Sequence, residues 1–104
     1  MSRYLFVYHG GGMPETEEEG MKAMQAWMQW FELVGDKVID AGNPVGQSST
    51  VQSDGSVRHD GGANPATGYG VFEAASLDEA LAIARGCPIL ASGGSVEVAE
   101  TFEP

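Results

Sequence analysis

The sequence predicts a single α+β domain over residues 1–104, with two helices on one face of an antiparallel sheet and an inserted β-ribbon. Two observations predict this class. The apolar pattern alternates with a period of two in some segments and near 3.6 in others, and turn residues separate these segments without a linker or a repeat. The length of 104 residues fits one domain. The single cysteine, Cys87, excludes an internal disulfide.

The first segment, Arg3–His9, alternates between two faces. One face holds Tyr4, Phe6 and Tyr8, and the other holds Leu5, Val7 and His9. Both faces are rich in aromatic and β-branched residues, which is typical of a strand that is buried on both sides.

A helix follows the glycines that end this strand. It begins at Pro14, which suits a first turn, or after Thr16, which forms a capping box with Glu19. Gly35 is the expected C-cap. The period near 3.6 predicts a core-facing stripe made of Met21, Met24, Trp27, Met28, Phe31 and Val34.

The middle of the chain holds a second strand and a polar insert. Lys37–Ala41 predicts the strand, and the insert is rich in Gly, Ser, Asp and Asn. Within it, Asp54-Gly55 lies between two β-prone segments, 49–52 and 56–59, which predicts a small β-ribbon rather than a structureless loop.

The last part of the chain repeats the order strand, helix, strand. Tyr69–Ala74 predicts the third main strand, and Ser76 with Glu79 is a capping box that opens the second helix. Ser95–Phe102 alternates again. The whole order is the split βαβ, or ferredoxin-like, arrangement.

The predicted fold leaves one face of the sheet without a helix. Because Arg3–His9 carries apolar residues on both sides, we expect a second copy of the chain to cover that face. The expected partner is therefore a homodimer mate, bound through the open sheet face.

The charge excludes several classes of partner. Asp plus Glu number 15 and Lys plus Arg number 5, a formal charge of −10, and the basic residues are scattered singly. Nucleic acids and anionic membranes are bound through clustered Lys and Arg, so neither is an expected partner. No apolar run reaches the ~20 residues of a membrane helix, and we expect no signal peptide in the first residues. We expect a cytoplasmic protein.

Five segments resemble a known family: Tyr4–Tyr8, Val38–Pro44, Gly68–Leu81, Cys87–Pro88 and Gly94–Val98. They are similar to the YCII-related family, and in particular to its DGPF branch. The resemblance implies a dimeric α/β barrel built from ferredoxin-like subunits, and covers nearly the whole chain outside the insert 47–67.

The match to the DGPF motif is incomplete. Asp60 and Gly61 are retained, whereas the Pro-Phe pair is replaced by Gly62-Ala63. Some members of the wider family use a His–Asp pair in a cleft. The resemblance therefore points to His9 with Asp40 as candidates for such a pair here.

Strand direction gives a second reason to pair these residues. His9 ends the first strand, Asp40 lies near the end of the second, and the two strands run parallel in this topology, so both lie at one end of the sheet. A carboxylate that holds one imidazole nitrogen orients the ring for proton transfer. Asp60, on the insert, is the alternative partner. Adjacent His59 and Asp60 point to opposite faces and cannot form a simple pair.

The sequence leaves two functions open. In the first, the protein is a small-molecule enzyme in which His9 is the general acid/base, Asp40 or Asp60 orients it, and Tyr8, Trp27 and Tyr69 line the pocket. In the second, it is a non-catalytic module that binds a small ligand or a partner. No cofactor is expected, and the spacing of His and Cys predicts no metal site.

Overall fold

The helices and strands follow one another in the predicted order. The computed structural model describes all 104 residues. Its main elements are β1 (Ser2–His9), α1 (Glu17–Val34), β2 (Val38–Asp40), β3 (Thr50–Val51), β4 (Val57–Arg58), β5 (Ala66–Ala74), α2 (Leu77–Ala84) and β6 (Ser95–Glu100). Two short 3₁₀ turns, Gly35–Lys37 and Pro88–Ser92, follow the two helices.

The main sheet has the strand order β2-β5-β1-β6, with every neighbouring pair antiparallel. This is the ferredoxin-like arrangement, as predicted. The central strand β1 places Tyr4 opposite Phe72 on one side and opposite Glu100 on the other. Strands β3 and β4 form a separate two-stranded ribbon whose turn contains Gly55 at φ +88°, so the predicted hairpin is confirmed.

Side-chain caps fix where both helices begin. The Thr16 hydroxyl accepts a hydrogen bond from the Glu19 N–H at 3.1 Å, so α1 begins after Thr16 and not at Pro14. The Ser76 hydroxyl does the same for the Glu79 N–H at 3.2 Å. Gly35, at φ +71°, is the C-cap of α1. These caps match the sequence prediction.

The core lies between the helices and one face of the sheet. Tyr4, Phe6 and Tyr8 of β1 are buried there. The Phe6 and Phe72 rings stack with centroids 4.2 Å apart, and Trp30 packs on Phe72. The Trp30 indole N–H donates to the Ile83 carbonyl at 3.2 Å, which ties α1 to α2.

The predicted core stripe of α1 is wrong at its three methionines. Met21, Met24 and Met28 are each more than 60% exposed. The helix instead turns its tryptophans toward the sheet, with Trp30 buried and Trp27 partly buried. At ~100° per residue the methionines lie 60–120° to one side of Trp27. The larger aromatic rings bury more apolar surface and set the orientation of the helix.

The opposite side of the sheet carries no helix. We call it the open sheet face, and the strand register assigns to it Leu5, Val7, Tyr69, Val71 and Ala99 as its centre. Leu5 is 36% exposed, whereas the helix-side residues of β1 are at most 4% exposed. Of the two β1 faces predicted to be buried, the chain itself therefore buries one.

Candidate functional site

A polar cluster surrounds His9 at the end of the open sheet face where β1 ends. His9 is the last residue of β1 and is only 8% exposed, although it faces away from the helices. Its Nε2 lies 2.9 Å from Glu97 Oε1, and its Nδ1 lies 3.2 Å from the Pro65 carbonyl oxygen. Both ring nitrogens therefore have a partner within the chain.

These two partners define the charge of the ring. A carbonyl and an ionised carboxylate only accept hydrogen bonds, and a neutral imidazole has one N–H to give. The geometry thus fits an imidazolium, which donates from both nitrogens. Accordingly, the hydrogen bond with Glu97 raises the pKa of His9 above its ordinary value of 6.5, and this outweighs the opposing effect of burial.

Strand topology explains why Glu97 is the partner. Strand β6 lies directly beside β1, with Glu97 opposite Val7 and Ser95 opposite His9. Glu97 is therefore a diagonal neighbour of His9 on the same face. Strand β5 separates β2 from β1, which places Asp40 about two strand spacings, ~9.6 Å, away from β1.

The predicted partners of His9, Asp40 and Asp60, make other contacts. Asp40 Oδ1 accepts from the Gly42 N–H at 2.8 Å, and Asp60 Oδ1 accepts from the Gly62 N–H at 3.0 Å. Each carboxylate closes its own turn. The side chain that contacts His9 is Glu97, and the Pro65 carbonyl is its second partner. The catalytic roles given to Asp40 and Asp60 remain predictions.

The three aromatic residues predicted to line one pocket lie on opposite sides of the sheet. Tyr69 is opposite Val7 and shares the open sheet face with His9. Tyr8 and Trp27 lie on the helix side, where their rings meet edge-on at 5.0 Å. Alternation along β1 separates Tyr8 from His9. Of the three, Tyr69 alone shares the His9 face.

Two cavities lie away from His9. One, of about 460 Å³, is bounded by the glycine-rich loop, the start of α1 and the Pro88–Ser92 turn, and Trp27 forms part of its wall. The other, of about 340 Å³, lies at the base of the ribbon and includes Asp60 and Pro65. Neither contains His9 in its lining.

Other candidate chemistries have little support in the structure. No group of three or more His, Cys, Asp or Glu side chains is arranged to hold a metal ion. Cys87 is buried, and burial raises the pKa of its thiol to about 11, which keeps it protonated at neutral pH. None of the helices combines the length and the apolar character needed to cross a bilayer.

The His9–Glu97 contact predicts a pH dependence of stability. Since the folded-state pKa of His9 is raised, its contribution is complete below pH 6.5 and is lost as the pH rises through the folded-state value. We expect the Tm of the wild type to fall relative to Glu97→Gln as the pH rises above about 6.5, by on the order of a few degrees. Thermal melts followed by circular dichroism measure this. Equal slopes for the two proteins would contradict it.

Comparisons with known proteins agree with the fold. The sequence model of the YCII-related domain family matches residues 4–103 of the chain. A solved structure, the 5-chloro-2-hydroxyhydroquinone dehydrochlorinase of Burkholderia phenoliruptrix AC1100 in complex with 2,5-dihydroxybenzoquinone, superposes with a TM-score of 0.56. It is 18% identical, and the alignment covers 96% of this chain and 95% of that one. No curated protein matches the chain.

Proposed function

Since the chain belongs to the YCII-related domain family, we propose that it is a small-molecule enzyme in which His9 transfers a proton at the open sheet face. The proposal depends on one observation. His9 is a nearly buried imidazole whose two nitrogens contact a main-chain carbonyl and a carboxylate. A titratable group with a perturbed pKa, held in a fixed orientation, is the usual mark of an acid/base site.

The two contacts have different roles in this proposal. The Pro65 carbonyl holds Nδ1 from the main chain, which fixes the ring and leaves Nε2 as the working nitrogen. Glu97 stabilises the proton on Nε2 until a substrate arrives. Tyr69 and Ser95, which flank this edge on neighbouring strands, bring hydroxyl groups that can hold a small polar molecule.

Asp40 and Asp60 enter the proposal as positioning residues. Asp60 closes a turn in the segment that leads to Pro65, and so helps to place the carbonyl that orients His9. Asp40 fixes the turn at Gly42, where a Cβ atom would overlap the Tyr69 carbonyl oxygen. Both carboxylates thus support main-chain segments that surround the site.

A second copy of the chain completes the proposed site. The apolar centre of the open sheet face is bounded by Arg3 and Glu73 at one end and by His9 and Glu97 at the other. The four strands have eight, nine, six and three residues and present a flat area of about 400 Å². Two such faces give about 800 Å², and the side chains that project from them bring the buried surface toward the ~1,000 Å² of a specific interface. A cleft at the His9 end of this homodimer is the proposed substrate site.

The proposed substrate is a small organic molecule. The dehydrochlorinase with the same fold is described in complex with a small dihydroxylated quinone, so the fold has room for a ligand of that size.

We also place the protein in the cytoplasm, because an unpaired, buried Cys87 suits a reducing compartment. We also propose that the chain belongs to the DGPF branch, because the Asp60-Gly61 pair of that motif is retained.

The helix-side cavity favours a second candidate function, a non-catalytic ligand-binding module. Trp27 forms part of the wall of this cavity of about 460 Å³. The Trp27 ring meets the buried Tyr8 ring edge-on at 5.0 Å, so the aromatic core backs this wall of the cavity. Quenching of tryptophan fluorescence by a small aromatic ligand, lost in Trp27→Phe and kept in His9→Gln, would favour this candidate.

The proposed function is tested by a search for proton-transfer turnover. The purified protein is incubated in D₂O with small hydroxylated quinones and keto acids, and deuterium incorporation at carbon is followed by NMR. We expect exchange of at least one compound class above the buffer rate, with dependence on His9. Exchange that is identical in the wild type and in His9→Gln would refute the proposal.

A further inference from the structure

We infer that the Nε2 edge of His9 is a binding site for a small organic anion, whose negatively charged oxygen replaces the Glu97 carboxylate. The inference rests on the proposed function, because it assigns a ligand class to the same site. It is carried by the geometry of the His9–Glu97 contact.

The two partners of this contact differ strongly in exposure. The His9 side chain is 9% exposed, whereas that of Glu97 is 65% exposed. A carboxylate on a solvated side chain therefore covers a donor that is almost buried. Glu97 is free to swing away from the sheet, since its side chain is largely solvated and His9 is its only hydrogen-bond partner. His9 stays in place, because Pro65 still holds Nδ1.

Movement of Glu97 away from Nε2 determines which class of ligand the ring can bind. The imidazolium would then be a nearly buried cation with no counter-charge, and an unpaired charge in such a position is costly. A ligand with an anionic oxygen restores the charge-assisted hydrogen bond, whereas a neutral ligand of the same shape does not. The site thus selects for an anion.

The surroundings of Nε2 fit a small anion. Ser95 lies opposite His9, and Tyr69 lies opposite Val7, so two neutral hydroxyls flank the edge. Among the other charged groups of this face, Arg3 and Glu73 lie opposite each other at the far end of β1, and Asp40 lies opposite Val71 on the edge strand β2. Glu97 is therefore the only acidic group beside the ring on this face.

Glu97 also limits the affinity of the site. While it occupies Nε2 the site is filled, and a ligand binds only the fraction of molecules in which the carboxylate has moved away. Neutralising Glu97 removes the competing negative charge from Nε2, and the Pro65 carbonyl still holds Nδ1. The affinity for a small anion should then rise, which is opposite to the effect expected if Glu97 were part of the ligand site.

Titration with benzoate, followed by NMR of the histidine ring, tests this inference. The His59→Gln background leaves His9 as the only histidine. The comparison includes the parent, Glu97→Gln and Glu97→Ala, with Glu100→Gln as a control that removes an equal charge from the same strand. A pH of about 5.5 lies below the ordinary pKa of histidine and so favours the protonated ring, while benzoate is ionised there. Salt at about 150 mM screens the long-range repulsion between the negatively charged protein and benzoate.

We expect benzoate to shift the His9 ring signals and to bind both Glu97 variants about tenfold more tightly than the parent and Glu100→Gln. Benzamide, the neutral analogue, should bind none of them measurably. Equal benzoate affinity in all four proteins, or no response of His9, would overturn the inference. The isosteric Glu97→Gln keeps the test valid if Glu97→Ala does not fold.

Failure of the proposed function has a different signature. It would appear as turnover that is unchanged in His9→Gln, whatever the benzoate affinity. Tight benzoate binding together with His9-independent turnover would leave the anion site intact and remove the catalytic role. The two results are therefore read separately.

Discussion

Replacing His9 by glutamine lowers the turnover of a responsive compound by about 10²–10⁴-fold, the range typical of a lost general acid or base. Glutamine is close in size and keeps an N–H donor near the position of Nε2, but it cannot carry a proton between substrate and Glu97. We expect kcat to fall much more than KM changes, because the lost interaction belongs to the transition state. Steady-state kinetics on both proteins measure this.

His59 is the matched control for this substitution. It is the second of the two histidines and is exposed next to the ribbon strand β4. His59→Gln should keep the wild-type kcat within about twofold, a margin well below the effect of a lost acid or base. If His9→Gln retained more than a tenth of the wild-type kcat, His9 would not be the acid/base group.

Replacing Leu5 by glutamate converts the proposed dimer to a monomer. Leu5 lies at the centre of the open sheet face, opposite Val71 and Ala99. In a two-fold interface each substitution occurs twice, and every unpaired charge buried between the faces costs several kcal/mol. The dissociation constant should therefore rise by about a thousandfold or more. Sedimentation velocity at micromolar concentration measures the change.

Leu33→Glu separates loss of pairing from loss of folding. Leu33 is 86% exposed on α1, so the same substitution there should leave both the dimer and the fold unchanged. Leu5→Glu should keep the wild-type circular dichroism spectrum, because Leu5 is already 36% exposed in the single chain. A wild-type protein that sediments as a monomer would contradict the interface directly.

The fold was predictable from local signals that the tertiary structure does not override. Each element has its own local signal. The signals are the alternation from Arg3 to His9, the capping side chains Thr16 and Ser76, and the Asp54-Gly55 turn. The order of the elements then selects the topology. The three methionines of α1 were assigned to the wrong side for a physical reason. Periodicity locates an apolar stripe only to within about a quarter of a turn, and packing of the larger tryptophans decides the rest.

The site was predictable in part. The family resemblance and the position at the end of a buried strand both point to His9, but its partner requires knowledge of which strand lies beside β1. The ferredoxin-like order places β6 next to β1 and inserts β5 before β2. Applied to the alternation Val96, Glu97, Val98, this order puts Glu97 on the His9 face. The Pro65 carbonyl gives no signal in the sequence, because a main-chain contact is independent of the side chain.

The protonation state of His9 is the most direct test of the proposed site. Ring ¹⁵N signals of the His59→Gln protein, recorded as a function of pH, report both nitrogens of His9. The structure predicts that both carry a proton at pH 6.5 and that the titration midpoint, above this value in the parent, moves down in Glu97→Gln. A midpoint at or below 6.5 that Glu97→Gln leaves unchanged would contradict the paired imidazolium on which the proposed chemistry depends.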